Sequence, residues 1–162
     1  MCVVDFSEVA SKCGGSNTGG NKTLYIANDG DVVDLPTPDA GTSTISSDLT
    51  METGKVFRKF TFTDDTCQHL ENDNEGRNKT SSIVCRIDGD DPVKRHQFDE
   101  MYGGEYTVIL TDGNDLTKIV QRCTFKSNFD SGTTKADLNG YEVRFEYSGR
   151  GAFVYTGAIP TT

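Results

Sequence analysis

The sequence lacks the features that mark several broad classes of protein. It has no apolar run long enough to span a bilayer and no cluster of Lys and Arg that could follow a nucleic-acid backbone. Its first residues, MCVVDFSEVASKC, lack the basic start and sustained apolar core of a secretory signal. We therefore expect no membrane insertion, no secretion signal and no specific binding of nucleic acid.

A cysteine framework is also missing. The five cysteines are an odd number at wide spacings, and none of them forms a C-x-x-C pair. Neither a zinc site nor a set of disulfides is indicated by such spacing. We expect reduced thiols at all five positions, which are Cys2, Cys13, Cys67, Cys85 and Cys123.

Apolar residues and positive charge are both scarce. The hydrophobic fraction is 34%, the formal net charge is −9 and the sequence pI is about 4.6. Ordinary domains reach roughly 45–50% on a somewhat broader apolar count. Such a chain is expected to place much of its surface against neighbouring copies, and its acidic surface would let DNA pass without binding it.

Most of the recognisable pattern in the sequence is the alternation of apolar and polar residues that is typical of β-strands. Alternating segments recur along the chain and predict about eight short strands, with residues 23–27, 55–63, 79–87 and 105–122 among them. We predict a mainly β fold, a β-sandwich or rolled barrel with one short flanking helix. Residues 1–22 are predicted to be a flexible arm, and residues 23–162 a single domain with a long polar loop at 63–79.

The flanking helix has clear start and stop signals. Asp91 is a suitable N-cap, Pro92 takes the first helical position, and Gly103-Gly104 ends the element. Phe98, Met101 and Tyr102 form an apolar stripe at helical spacing, which we expect to pack against the sheet. The segment after the helix is predicted to be a hairpin that turns at 112–115.

Catalytic and metal-binding patterns are not found. The two histidines, His69 and His96, have no evident partner, and Cys67 beside His69 lacks an orienting third group. The carboxylates favour a solvated acidic surface over an acid–base pair. We therefore expect no enzyme activity, no cofactor and no metal site; the carboxylates considered are Asp64, Asp65, Glu71, Asp73, Glu75, Asp90, Asp91 and Glu100.

The stretch from Asp130 to Tyr147 does not fit a calcium-binding loop. Asp137 and Asn139 alternate, but Lys135 takes the preceding alternate position, where its charge would repel a cation. Asn139-Gly140 is instead predicted to be a two-residue turn. The strand after it should present one packed face, formed by Tyr141, Val143, Phe145 and Tyr147.

Three segments together carry a resemblance to a known family. They are TLYIANDGDV (23–32), DPVKRHQFDEMYGGEYTVILTDGNDLTKIV (91–120) and SGTTKADLNGYEVRFEY (131–147). A capped helix that leads into an Asp-Gly-Asn-Asp hairpin, followed by a strand that opens with Asn-Gly-Tyr, resembles the tail tube protein of long-tailed bacteriophages.

This resemblance implies a structural virion protein. Members of the family form hexameric rings that stack into a tube through which DNA is ejected, with sheath or terminator, tape measure and baseplate proteins as further partners. The implied location is the virion tail, after assembly in the host cytoplasm. Carried over here, Val93 to Tyr102 would be the flanking helix, the 63–79 loop an inter-ring hairpin, and the lumen acidic.

The sequence is also compatible with other functions. The same fold would serve a tube of a secretion system, a capsid decoration protein or a head–tail connector. A small calcium- or carbohydrate-binding β-sandwich module is an alternative of another class, and it would require exposed aromatic side chains beside the acidic loops.

Overall fold

A computed structural model describes residues 19–75 and 78–162. In this part of the chain 47% of the residues are strand and 9% helical, which confirms the prediction of a mainly β fold with one short helix. The elements are β1 (Asn21–Asn28), β2 (Val32–Asp34), β3 (Thr44–Ile45), β4 (Thr50–Met51), β5 (Arg58–Lys59), β6 (Gln68–Asp73), β7 (Lys79–Asp88), α1 (Pro92–Met101), β8 (Glu105–Asp112), β9 (Thr117–Asp130), β10 (Gly140–Ser148) and β11 (Phe153–Tyr155).

The main sheet is antiparallel and runs in the order β5-β1-β8-β9-β10-β7-β6. Strand β11 pairs with β9 and, in parallel, with β3, while β2 and β4 form a separate two-stranded sheet. The predicted hairpin at 112–115 is confirmed, since β8 pairs with β9 across it. The predicted arm at 1–22 lies outside the described residues up to position 18, and Asn21 already belongs to β1.

The sheet is rolled, because the segment between β5 and β6 bridges β1 and β7, the strands next to its two ends. The Phe60 N–H donates to the Leu24 carbonyl on β1, and the Thr63 N–H donates to the Arg86 carbonyl on β7, both at 2.8 Å. The enclosed face carries the larger core. Its buried members include Leu24, Phe60, Cys67, Ile83, Cys85, Val108, Leu110, Val120, Cys123, Phe125, Tyr141, Val143 and Phe145.

Helix α1 packs its apolar side against this interior. Phe98 and Met101 are buried, and the ring centroids of Phe98 and Tyr141 lie 4.9 Å apart. Tyr102 departs from the predicted stripe: it is the C-cap residue and 51% exposed, and its hydroxyl donates to the Ser127 carbonyl at 2.8 Å. Tyr102 lies one residue past the end of α1 with an extended backbone, so its ring reaches only the margin of the core, 5.9 Å from the ring centroid of Phe125.

The predicted N-cap of α1 is confirmed, and its removal should be measurable. The Asp91 carboxylate accepts a 2.7 Å hydrogen bond from the Lys94 N–H. Replacing Asp91 with Ala is expected to lower the free energy of unfolding by about 1 kcal/mol, because an N–H group of the first turn loses its acceptor. Chemical denaturation measures this loss. Asp91→Ser retains a capping oxygen and should recover most of it; equal losses in both variants would contradict the capping role.

A second, smaller core lies on the outer face of β1, β8 and β9. Segments from 32 to 57 and the C-terminal residues cover this face and contribute most of its buried side chains. Strand β8 is therefore buried on both faces, as a central strand with a continuous apolar run requires. The buried members of this outer core are Ala27, Ile45, Leu49, Phe57, Ile109, Ile119 and Tyr155.

A bulge in β9 allows closely spaced residues to reach the same interior. The register changes by one residue between Tyr106↔Cys123 and Val108↔Val120, and Arg122 has a φ of +57°. The Asp29 carboxylate holds the bulge by accepting from the Arg122 N–H at 3.2 Å and the buried Thr107 hydroxyl at 2.8 Å. Without the extra residue, side chains at 120 and 123 would point to opposite faces of the strand.

Two predicted segments differ from the structure. Only Arg58–Lys59 of the 55–63 segment is strand, and the segment buries side chains on both sides, since Phe57 lies in the outer core and Phe60 in the inner one. The long loop expected at 63–79 contains β6, which pairs with β7 over six residues. This strand has one exposed edge and mostly exposed side chains, so its sequence carries no apolar alternation.

The predicted two-residue turn at Asn139-Gly140 is wrong. Strands β9 and β10 are joined by residues 131–139, and Gly140 already pairs with Asp130 and Asp88 as the first residue of β10. The packed face of β10 is confirmed: Tyr141, Val143 and Phe145 are buried, and Tyr147 is half-buried against the same core. Glycine is needed at 140 for close approach to β7 rather than for a turn.

Candidate assembly surface

The outer edge of β6 is a six-residue strand edge that the described part of the chain leaves unpaired. Strand β6 ends the main sheet and pairs on one side only, with β7. An unpaired edge presents a row of N–H and C=O groups to which a strand from another chain can add. The chain therefore offers a template for pairing between subunits at residues 68–73.

Side chains on β6 fit a contact that is partly apolar and partly acidic. Leu70 is 39% exposed in the middle of the strand, and Glu71 and Asp73 follow it. The position of the Glu71 carboxylate is fixed, since its Oε1 accepts a 2.7 Å hydrogen bond from the Ala152 N–H. No Pro or Lys interrupts the strand, although these residues commonly protect an edge from pairing.

The opposite end of the sheet is far less suited to pairing. Strand β5 has only two residues, Arg58 and Lys59, and both are exposed. Very short strands with charged side chains are a common way to block edge-to-edge association. The two ends therefore differ in length and in the sign of their charge.

A second exposed patch, the helix-side patch, lies where the N-terminus of α1 meets the ends of β9 and β10. The Arg95 guanidinium stacks 4.5 Å from the ring centroid of Phe129, which is 39% exposed. Arg95 also pairs with Asp90 at 2.6 Å, and the Tyr141 hydroxyl donates to the other Asp90 oxygen at 2.6 Å. The patch thus combines an exposed aromatic ring with a fixed ion pair.

These contacts displace the pKa values of the acidic groups in the patch. The Tyr141 hydroxyl and, after it, the Arg95 guanidinium hold the pKa of Asp90 below its usual range, because both stabilise the carboxylate. Burial and the nearby Asp90 carboxylate raise the pKa of Tyr141 to about 12. At neutral pH the patch therefore contains a carboxylate, a neutral phenol and a guanidinium.

The Asp90 network should contribute stability that depends on pH. Its folded pKa is depressed, so the contribution is present above the ordinary carboxyl pKa of about 4 and is lost as pH falls through the folded pKa. Asp90→Asn should be less stable than wild type at pH 7, and the difference should shrink toward pH 3. Urea denaturation at both pH values tests this, with the exposed Asp34→Asn as control. A difference that does not change with pH would contradict it.

The two histidines lie on different elements, β6 and α1, and in different surroundings. His69 lines a polar cavity of about 610 Å³ together with Cys67, Asp112 and Lys118. Its Nε2 is buried, lies 3.6 Å from Glu71 Oε1 and makes no hydrogen bond within the described residues. Burial lowers the pKa of His69 and outweighs the nearby Glu71 carboxylate, which would raise it, so the ring is neutral at pH 7.

The other histidine, His96, lies on the surface. Its side chain is 77% exposed on α1, and its Nε2 lies 3.9 Å from Glu100 Oε1.

The remaining candidate carboxylates serve local structure or face solvent. Asp137 accepts hydrogen bonds from the Thr133 and Thr134 N–H groups, both at 2.7 Å, and these donors lower its pKa. It therefore holds the 131–139 loop in shape. Residues 19–75 and 78–162 contain no group of three or more His, Cys, Asp or Glu side chains arranged to hold a metal ion.

Comparison with models of protein families, with curated proteins and with solved structures finds no match to this chain. The described residues also include no helix with the length and apolar character needed to cross a bilayer. The feature that sequence reasoning missed is the β6 edge, because residues 68–73 have no apolar alternation to mark them as a strand.

Proposed function

We propose that this chain is a structural subunit that assembles through its β6 edge into rings, and that these rings stack as the tail tube of a long-tailed bacteriophage. A ring requires a heterologous contact, in which one surface of a subunit meets a different surface of the next. DNA would pass through the ring without binding, and the chain would act as a building part rather than as an enzyme.

The observation that carries this proposal is the asymmetry between the two ends of the sheet. Strand β6 is six residues long, unpaired on its outer side and acidic, while the opposite end is short and basic. Two copies of this acidic edge repel one another, so the edge is better suited to a different surface of the next subunit, which is the heterologous contact that a ring needs. The net charge of −9 also fits a lumen that repels phosphate.

Electron microscopy of the purified full chain tests the proposal directly. Six domains, each ~20–25 Å wide, around a pore predict rings or tubes about 100 Å across. Rings with six-fold symmetry that stack into tubes support the proposal, and single rings or trimers favour a connector or decoration protein. A monomer at high concentration in sedimentation experiments would contradict assembly.

A charge on the β6 edge should prevent assembly without unfolding the subunit. Leu70→Lys places a charge in the middle of the edge, where a pairing strand would have to bury it. We expect the variant to remain monomeric at concentrations at which wild type forms rings. Its free energy of unfolding should stay within about 1 kcal/mol of a dissociated wild-type subunit, because Leu70 is already 39% exposed and the aliphatic stem of Lys can replace most of its contacts.

Val33→Lys provides the matched control. Val33 is 65% exposed on β2, which belongs to the separate two-stranded sheet, so the same charge is added away from the β6 edge. This variant should assemble like wild type. Normal assembly of Leu70→Lys, or equal loss in both variants, would remove the β6 edge from the proposed contact.

A further inference from the structure

Two buried thiols face each other across the junction of β6 and β7. The sulfur atoms of Cys67 and Cys85 lie 2.8 Å apart, and the two residues are 3% and 1% exposed. Their alignment follows from the strand register. Because Gln68 pairs with Val84, the next opposed positions are Cys67 and Cys85.

The backbone geometry at this position suits a covalent bond. Directly opposed residues of antiparallel strands have Cα atoms about 4.5–5.5 Å apart. Disulfides join residues whose Cα atoms are about 4.4–6.8 Å apart, so no movement of the backbone between strands is required. Both side chains already point into the inner core, toward one another.

We propose that Cys67 and Cys85 form a cross-strand disulfide in the folded protein, and that Cys67 is the thiol that reacts first. This differs from the reduced thiols expected from sequence, and it does not depend on the proposed assembly. The third buried cysteine, Cys123, has no such partner among the described residues, since its thiol donates only to the Val120 carbonyl at 3.8 Å.

The environment distinguishes the two sulfurs. The Cys85 thiol donates its hydrogen bond to Cys67, and the Asn21 amide donates to the same sulfur at 3.8 Å. These donors lower the pKa of Cys67 against the opposing effect of burial, while the pKa of Cys85 is raised. Cys67 also lines the polar cavity of about 610 Å³ that contains His69, which gives a small reagent a route to it.

The oxidant is a small-molecule disulfide of the glutathione class. The Cys67 thiolate attacks one sulfur of the reagent, forming a mixed disulfide and releasing one small thiolate, which takes up a proton. Cys85 then loses its proton and attacks the Cys67 sulfur, releasing the second small thiol. Two protein thiols are oxidised, and one reagent disulfide is reduced to two thiols.

Oxidised glutathione added to the native full chain is the test. We expect a mass loss of two hydrogen atoms and a peptide map that joins Cys67 to Cys85. We also expect a rise in Tm of roughly 5–10 °C relative to the chain kept in a phosphine reductant, since the bond constrains the unfolded chain. Cys85→Ser should instead retain glutathione on Cys67, with a corresponding gain in mass.

Cys123→Ser is the control, and it should form the same bond as wild type. A link of Cys67 or Cys85 to any other cysteine, a stable glutathione adduct on Cys67 of the wild-type chain, or a bond that forms only in denaturant would overturn the proposal. So would a Tm that falls on oxidation. If Cys85→Ser does not fold, Cys67→Ser replaces it, and that variant should take up no glutathione at position 85.

Discussion

Phe145→Ala is expected to lower the free energy of unfolding by about 3–5 kcal/mol, a large share of the stability of a domain of this size. Phe145 is fully buried in the middle of β10, at the centre of the inner core. Its ring centroid lies 5.5 Å from that of Phe60 and 5.4 Å from that of Phe125. Removal of the ring leaves a cavity lined by rigid neighbours from three parts of the chain, which cannot collapse to fill it.

Chemical denaturation measures this loss, and Phe129→Ala is the matched control. Phe129 is 39% exposed at the end of β9 and contacts Arg95 and Tyr141, so its removal should cost only about 1 kcal/mol. A loss below 2 kcal/mol at position 145, or equal losses at the two positions, would contradict the placement of the inner core.

Gly140→Ala is the second substitution with a large expected effect, a loss of about 1–3 kcal/mol or more. A methyl group at this position would lie 2.5 Å from the Ile87 carbonyl oxygen and 3.0 Å from the Asp88 Cα. Both atoms belong to the backbone of β7, which pairs with β10 at this point. Neither atom can rotate away as a side chain would, so the two strands have to separate locally.

Thermal and chemical denaturation of Gly140→Ala should be compared with Gly30→Ala. At Gly30 no atom of the described residues lies within 4 Å of the added methyl group, and its φ is outside the left-handed region. The control should therefore be neutral or slightly stabilising, because Ala restricts the unfolded chain. If Gly140→Ala is also neutral, the close approach of β7 and β10 is not required.

The parts of the fold that were predictable depend on local patterns. The capped start of α1 at Asp91-Pro92 and the hairpin turn at 112–115 are set by side chains that bond to neighbouring backbone groups. The alternation in β10 places Tyr141, Val143 and Phe145 on one face, because a strand has a period of two. These features depend on residues close together in the chain, so they can be recognised without knowing the tertiary structure.

Features that depend on distant partners were not predictable in the same way. Strand β6 exists because β7 pairs with it, and its exposed side chains give no sign of this in the sequence. Gly140 carried a turn signal beside Asn139, but glycine is required there because the Ile87 carbonyl oxygen, 53 positions earlier in the chain, lies 2.5 Å from where a side chain would begin. The candidate site also depends on distant partners, since the free edge of β6 is defined only by the order of strands in the sheet.

The mainly β character, the acidity and the one capped helix follow from composition and short-range periodicity, which are properties of neighbouring residues. The rolled sheet, the bulge that Asp29 holds near Arg122 and the contact of Cys67 with Cys85 depend on tertiary contacts instead. Each of these contacts joins residues that are distant in the chain, and the smallest separation is the 18 positions between Cys67 and Cys85. Their alignment follows from strand register, which is set by how all the strands fill one common core.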